Sequence, residues 1–179
     1  AGYTVYEFSR REAGVEGLHH IRADITDETQ VRAAVQQVMD AEGQIDVVVN
    51  NAGFGISGAV EFTDTADAQR LFNADFFGMV RVNRAVIAHM RAAGRGRIVN
   101  LSSVAGPLPI PFQTYYSAAK AAVNAYTMAL ANELRPFGIT VCAVQPGDIH
   151  TGFTAAREKT VTGDEVYGGR ISRSVSRME

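Results

Sequence analysis

The chain of 179 residues has one cysteine, Cys142, so no internal disulfide can form. Set in the run Ile139-Thr140-Val141-Cys142-Ala143-Val144, that thiol is expected to be a small buried hydrophobe. Four scattered histidines lack the spacing of a metal site, and no metal is expected. Basic runs are missing and the net charge is -2, which removes the electrostatic drive toward nucleic acid or an anionic membrane surface. No apolar run approaches the roughly 18 to 20 residues that span a bilayer, and the first residues lack a signal peptide's basic start, so a cytoplasmic protein is expected. No G-x-G-x-x-G or T-G-x-x-x-G-x-G loop for phosphate occurs. Internal repeats, linkers and low-complexity segments are missing too. With 46% hydrophobic and 20% charged residues, what remains is a single compact domain over residues 1–179. The chain starts at Ala1 rather than Met and enters a strand-like run at residues 3–8 almost at once, so a fragment is expected.

Present instead are alternating helical and strand patterns. Residues 27–42 place Val31, Ala34, Val35, Val38 and Met39 at helical spacing behind acidic residues and stop at Gly43. The β-branched run Ile45-Asp46-Val47-Val48-Val49 then empties into Asn50-Asn51-Ala52-Gly53, as a buried parallel strand would. A long helix is predicted over residues 65–93, carrying Leu71, Met79, Val82 and Val86 on its apolar side and closed by Gly94-Arg95-Gly96. The cycle repeats with a strand at residues 97–101, a helix at 115–134 and a strand at 139–144 that ends in Gln145-Pro146-Gly147. Strands separated by such helices imply right-handed crossovers and an α/β fold, a Rossmann-like doubly wound parallel sheet with helices on both faces.

Ligands of such sheets lie beyond the carboxyl ends of the strands. Those ends carry Ser9-Arg10-Arg11, Asp24-Ile25, Asn50-Asn51-Ala52-Gly53, Ser102-Ser103 and Pro146-Gly147. In Tyr116-Ser117-Ala118-Ala119-Lys120 the four-residue spacing on a helix puts a phenol and an ammonium on one face. A phenol titrates near 10, and a neighbouring cation favours its ionised form; a drop of about 3 pKa units takes roughly 4 kcal/mol, of which Lys120 supplies part. Ser103, thirteen residues before Tyr116 at the end of the preceding strand, can reach the same substrate oxygen.

With Ser103, Tyr116 and Lys120 in this order, the sequence resembles the short-chain dehydrogenase/reductase family, and the resemblance covers nearly the whole chain. Asn50-Asn51-Ala52-Gly53 looks like the family's N-N-A-G, Asp24, followed by Ile25, like its adenine-contacting acid, and Pro146-Gly147-Asp148-Ile149-His150-Thr151 like its P-G-x-x-x-T. The resemblance implies Tyr116 as acid/base, Ser103 as the group orienting the substrate oxygen, and Lys120 as ribose ligand and tuner of Tyr116. It further implies Ile149 and Thr151 as holders of the nicotinamide carboxamide, with Asn51, Ala52, Gly53, Pro146 and Gly147 lining the cofactor.

Two departures qualify this. The glycine-rich loop is not in these residues, and a βαβ unit of roughly 30 residues preceding Ala1 would supply it. The family's relay Asn is matched by Asp75 in Asp75-Phe76-Phe77-Gly78, which reads as a relay carboxylate, as a substitution that weakens turnover, or as a helix residue with no such role. At the end of the first strand, where an NAD enzyme places an acid, stand Ser9, Arg10 and Arg11. Guanidinium groups suit a 2'-phosphate, so NADP(H) is expected rather than NAD(H).

Together these readings predict an NADP-dependent oxidoreductase acting on a carbonyl or secondary alcohol; the alternative is a non-catalytic dinucleotide sensor or interaction protein of the same fold. Residues 153–179 are expected to be a substrate lid, and Phe54, Pro107, Leu108, Ile110, Phe112 and Phe153 an apolar pocket for an apolar ketone or secondary alcohol. Surplus apolar residues on the two long helices, among them Phe72, Phe76, Phe77, Val80 and Met128, predict a homodimer or homotetramer.

Overall fold

A computed structural model describes residues 2–147, 149 and 152–177. Strands and helices alternate, and every strand pairing among the described residues is parallel. Strand β1 (Tyr6–Ser9) pairs with β2 (His19–Arg22), a strand too polar to be read from periodicity. Strands β3 (Val47–Asn50), β5 (Gly96–Leu101) and β6 (Ile139–Val144) form a ladder in the order β3-β5-β6. A third ladder joins β4 (Ile56–Ser57) to β7 (Glu158–Lys159). Tyr3, placed in a strand by its pattern, precedes β1 and is exposed.

Helix α1 (Glu28–Glu42) starts where the Asp27 carboxylate accepts from the amides of Thr29 and Gln30, and it stops at Gly43, whose φ of 71° lies in the left-handed region. The helix predicted over residues 65–93 is broken into α2 (Thr65–Phe72), a π-helical turn (Asn73–Gly78) and α3 (Met79–Ala93). Such a turn inserts one extra residue and rotates the side chains beyond it. Gly78 permits it, since a Cβ there would meet Ile25 Cδ1 at 2.5 Å. The turn buries Asp75 and exposes Phe77.

Helix α4 (Thr114–Leu134) packs beside β5 and β6. Val35 of α1, Val86 and Met90 of α3, Ile98 of β5, Leu130 and Leu134 of α4 and Ile139 of β6 form one apolar cluster, so α1, α3 and α4 share a face of the ladder. Cys142 is not on that face. It is in register with Val99, which is in register with Val49, and because strand side chains alternate, all three point the other way. Val47, Val49 and Val144 share that side and are exposed, as is Cys142, contrary to the burial its apolar run suggests. Between β1 and β3, which share no hydrogen bond, lies a cavity of about 940 Å³ bordered by both strands and by Val35, Val38 and Met79.

Beyond β6 the chain forms α5 (Gly152–Ala156), β7 and α6 (Arg170–Ser176). The segment is pinned to the body. Arg70 of α2 grips both oxygens of Glu158 at 2.8 and 2.6 Å, and the Tyr167 hydroxyl donates to Glu61 at 2.8 Å.

Candidate active site

The carboxyl ends of β3, β5 and β6 and the first turns of α4 enclose a cavity of about 890 Å³. Ser103, Tyr116 and Lys120 all line it, together with Asn51, Gly53, Pro146, Gly147 and Ile149. The two adjacent serines after β5 diverge. Ser102 is buried and donates to the Lys120 carbonyl at 3.0 Å, while the Ser103 hydroxyl accepts from the Ala105 amide at 3.1 Å and faces the cavity.

Tyr116 is 7% exposed and its ring centre lies 5.5 Å from Lys120 Nζ. Lys120 is fixed rather than free: its ammonium donates to the Leu101 carbonyl at 3.1 Å and lies 3.1 Å from Asp75 Oδ2. The other Asp75 oxygen accepts from the Phe54 amide at 2.9 Å. This carboxylate is why position 53 lacks a side chain, because a Cβ on Gly53 would sit 2.9 Å from Asp75 Oδ2.

Burial drives the Asp75 carboxyl above its ordinary value, against the pull of Lys120 and of the Phe54 amide. Burial also raises the Tyr116 phenol, and the Asp75 charge adds to this, while a hydrogen bond with Ser103 and the positive charge of Arg157 oppose it. The sequence alone suggested that Lys120 would lower the phenol. The net direction is upward because burial of the phenol outweighs the Ser103 hydrogen bond and the Arg157 charge, and Asp75, 3.1 Å from the ammonium, adds to the rise.

Behind the site a buried amide network crosses the sheet. Asn50 Nδ2 donates to Asn83 Oδ1 at 2.7 Å and to Asn100 Oδ1 at 2.9 Å, and Asn100 Nδ2 donates to Thr127 Oγ1 at 3.0 Å. These contacts tie β3, α3, β5 and α4 together directly beneath the strand ends.

A family model described as short chain dehydrogenase matches residues 6–162. The chain belongs to the short-chain dehydrogenase family. It is 43% identical to a 3-ketodihydrosphingosine reductase of Bacteroides thetaiotaomicron, over 99% of this chain and 67% of that protein. An NADPH-dependent 1-acyldihydroxyacetone phosphate reductase of Schizosaccharomyces pombe is 33% identical over 82% of this chain and 49% of its own length. The crystal structure of a short-chain dehydrogenase from Streptomyces avermitilis superposes with a TM-score of 0.83 at 32% identity, covering 99% of this chain and 73% of that one. The chain thus spans about two thirds or less of the length of these curated relatives.

The short-chain dehydrogenase residues expected from sequence divide into three groups. Ser103, Tyr116, Lys120 and Asp75 come together at the cavity, with Asn51, Gly53, Pro146, Gly147 and Ile149 on its walls and Ala52 between two of them in the chain. Ser9, Arg10, Arg11, Asp24 and Ile25 form a second cluster at the ends of β1 and β2. There the Asp24 carboxylate is lowered by hydrogen bonds from the Thr26 amide and hydroxyl and by the Arg10 charge, which together outweigh its burial. Arg10 has no ion pair among the described residues, whereas Arg11 is bound by Glu7, which also accepts from the Val15 amide at 2.9 Å. Thr151 lies outside the described residues.

The expected apolar pocket is half right. Ile110, Phe112 and Phe153 line the cavity, but Leu108 is 71% exposed and Phe54 lies against the Arg70 guanidinium at 4.9 Å; neither they nor Pro107 reach the lining. Four arginines stand there instead, at positions 157, 170, 173 and 177. Their signal in the sequence was the arginine content of the segment after Pro146-Gly147, which does not itself tell a cavity wall from a solvated surface.

Proposed function

We propose that this chain carries the catalytic centre of an NADP(H)-dependent oxidoreductase that interconverts a carbonyl compound and a secondary alcohol. The observation that carries the reading is the convergence of the Tyr116 and Ser103 hydroxyls with an immobilised Lys120 on one cavity at the strand ends. In the reductive direction Tyr116 donates its proton to the substrate oxygen, and Ser103 hydrogen-bonds that oxygen as negative charge develops. Lys120, held at two points, presents its ammonium at fixed height beneath the ring. A raised phenol stays protonated through neutral pH, so Tyr116 is present in the form that carries the proton.

The walls fit a nicotinamide: Gly53 and Gly147 bring bare backbone to the cavity, no described residue beyond its chain neighbours stands within 4 Å of a Cβ built on Gly147, and Asn51 adds an amide. Bound there, the nicotinamide supplies or accepts the hydride. Arg10, exposed at the end of β1 beside Ser9, would receive the 2'-phosphate that distinguishes NADP from NAD, with Arg11 held in place by Glu7. The NADPH dependence of the Schizosaccharomyces pombe relative supports the same choice. Exposed Phe77 in the π-helical turn and Met128 on α4, 49% and 71% accessible, support assembly into a homodimer or homotetramer.

The test is NADPH oxidation by the full-length protein across a panel of ketones, with NADH in parallel. Turnover preferring NADPH supports the reading; binding of either dinucleotide with no turnover of any carbonyl compound would favour a sensor and refute it.

A further inference from the structure

The segment beyond the Pro146-Gly147 turn gives the active-site cavity a cationic wall. Arg157, Arg170, Arg173 and Arg177 line it beside Lys120, and no Asp or Glu lines it among the described residues. The whole chain has 19 acidic against 17 basic residues, so this segregation does not follow from composition. The charge of Lys120 is met by Asp75, while none of the four arginines forms an ion pair among the described residues; Arg173 donates to the Gly168 carbonyl at 3.0 Å and helps lower the Asp164 carboxyl from a distance. Elsewhere among the described residues Arg11, Arg22, Arg70, Arg84 and Arg95 have one and six other arginines do not, so what distinguishes the four is their gathering on one cavity wall.

Arg157 is the deepest of the four. Its Nε and Nη1 are shielded from solvent and have no hydrogen-bond partner among the described residues. The guanidinium carbon stands 5.7 Å from the Phe153 ring centre, and that ring centre lies 5.8 Å from the ring centre of Tyr116. Gly55 makes room for it: a Cβ there would lie 3.2 Å from Arg157 Cγ and 3.2 Å from Nε. Withdrawing guanidinium N–H groups from water without a partner is costly, and an oxyanion entering the cavity that Arg157 lines would supply the missing acceptors. Arg170, Arg173 and Arg177 follow at spacings of three and four, hence on one side of α6 and the residue after it. Four guanidinium groups exceed what a single carboxylate takes up, and they suit a phosphate with three peripheral oxygens.

Resting on the reductase reading above, we propose that the carbonyl substrate bears a phosphate ester, received by Arg157 a few bonds from the carbon that Tyr116 serves, with the α6 arginines drawing it in from the rim. This replaces the apolar ketone suggested by sequence. Two sources share the chemistry: a small phosphorylated ketone, whose phosphate reaches Arg157, and a ketoacyl thioester on a phosphopantetheine arm, whose phosphate stays at α6.

The experiment uses the full-length protein with NADPH and compares hydroxyacetone phosphate, hydroxyacetone and aminoacetone. Acetoacetyl-coenzyme A and acetoacetyl-N-acetylcysteamine form a second pair. For the small ketones, kcat/KM is expected to be roughly 10- to 100-fold higher with the phosphate than without it, as for one or two charge-assisted hydrogen bonds. That ratio should collapse in Arg157→Gln and recover in part in Arg157→Lys, and the KM of the phosphate ester alone should rise with ionic strength. A preference for the coenzyme A thioester that falls in Arg173→Gln supports the pantetheine source instead. Isothermal titration of hydroxyacetone phosphate without NADPH supplies a second readout, with binding expected in the wild type and lost in Arg157→Gln. Turnover of hydroxyacetone with no phosphate preference in either pair overturns the inference and leaves the reductase reading standing. So does a preference for aminoacetone, an equal loss on all ketones in Arg157→Gln, or a loss confined to NADPH affinity. Binding of the phosphate ester without turnover of any ketone keeps the anion site and overturns the reductase.

Discussion

Replacing Asp75 by Asn should move the pH dependence of catalysis toward lower pH. At the 5.5 Å between Lys120 Nζ and the Tyr116 ring centre, an uncompensated ammonium favours the phenolate by about 3 kcal/mol at an effective dielectric constant of about 20, or about 2 pKa units. Asp75, 3.1 Å from the same ammonium, cancels roughly half of that field, so its neutralisation lowers the phenol by about 1 pKa unit. Asn keeps the size of the side chain and an oxygen for the Phe54 amide. The assay is kcat against pH for oxidation of a secondary alcohol, where Tyr116 must be ionised to accept a proton and the rate rises as the phenol titrates. The Asp75→Asn profile should rise about 1 pH unit earlier than wild type, and in the reductive direction the fall at high pH should also come earlier. An unmoved profile in a variant with wild-type circular dichroism would refute the reasoning. A shift to higher pH would reverse its sign.

Three other predictions concern separate parts of the molecule. Arg10→Asp should weaken NADPH far more than NADH, since it removes a cation and sets a carboxylate beside the 2'-phosphate; an unchanged ratio of the two dissociation constants would make Arg10 a surface residue. Asn83→Leu removes one of the two acceptors of the Asn50 amide and the 3.5 Å bond to Asn100 and should lower unfolding free energy by about 1 to 3 kcal/mol in urea titrations, against no change if the network is incidental. Hydrogen bonds hold Asp27 and Asp164 below their ordinary value of 3.8, which stabilises the fold above that pH and is lost as pH falls below it. The urea midpoint should therefore fall between pH 5 and pH 3, less steeply in Asp27→Ala; equal slopes would deny the cap its role.

What was legible in the sequence was local and periodic. Helix α1 shows its cap, its apolar stripe and its terminal glycine in one stretch, and β6 is a run of residues with a glycine before it and Pro146-Gly147 after it. Tyr116 and Lys120 share a helix face by spacing alone. The π-helical turn was not legible, because the four- and three-residue apolar spacing of residues 65–93 continues on either side of it and its cause is remote: Ile25 packs into the gap at Gly78. The exposure of Cys142 depends on which face of the ladder the helices cover, and that is set by the crossovers rather than by the strand's own residues. The Asp75–Lys120 pair joins residues 45 positions apart; the sequence held both but could not sign their effect on Tyr116. Arg157 faces a cavity only because the chain beyond β6 returns to pair β7 with β4.

The most direct test of the catalytic assignment is single-turnover reduction of an accepted ketone by the Tyr116→Phe variant of the full-length protein, with its NADPH dissociation constant measured alongside. Phe preserves the ring packed near Phe153 and deletes only the proton donor. The rate should fall by about 10² to 10⁴ while NADPH affinity stays near wild type. A rate near wild type in the folded variant would contradict the account and leave the placement of Tyr116 above Lys120 without chemical meaning.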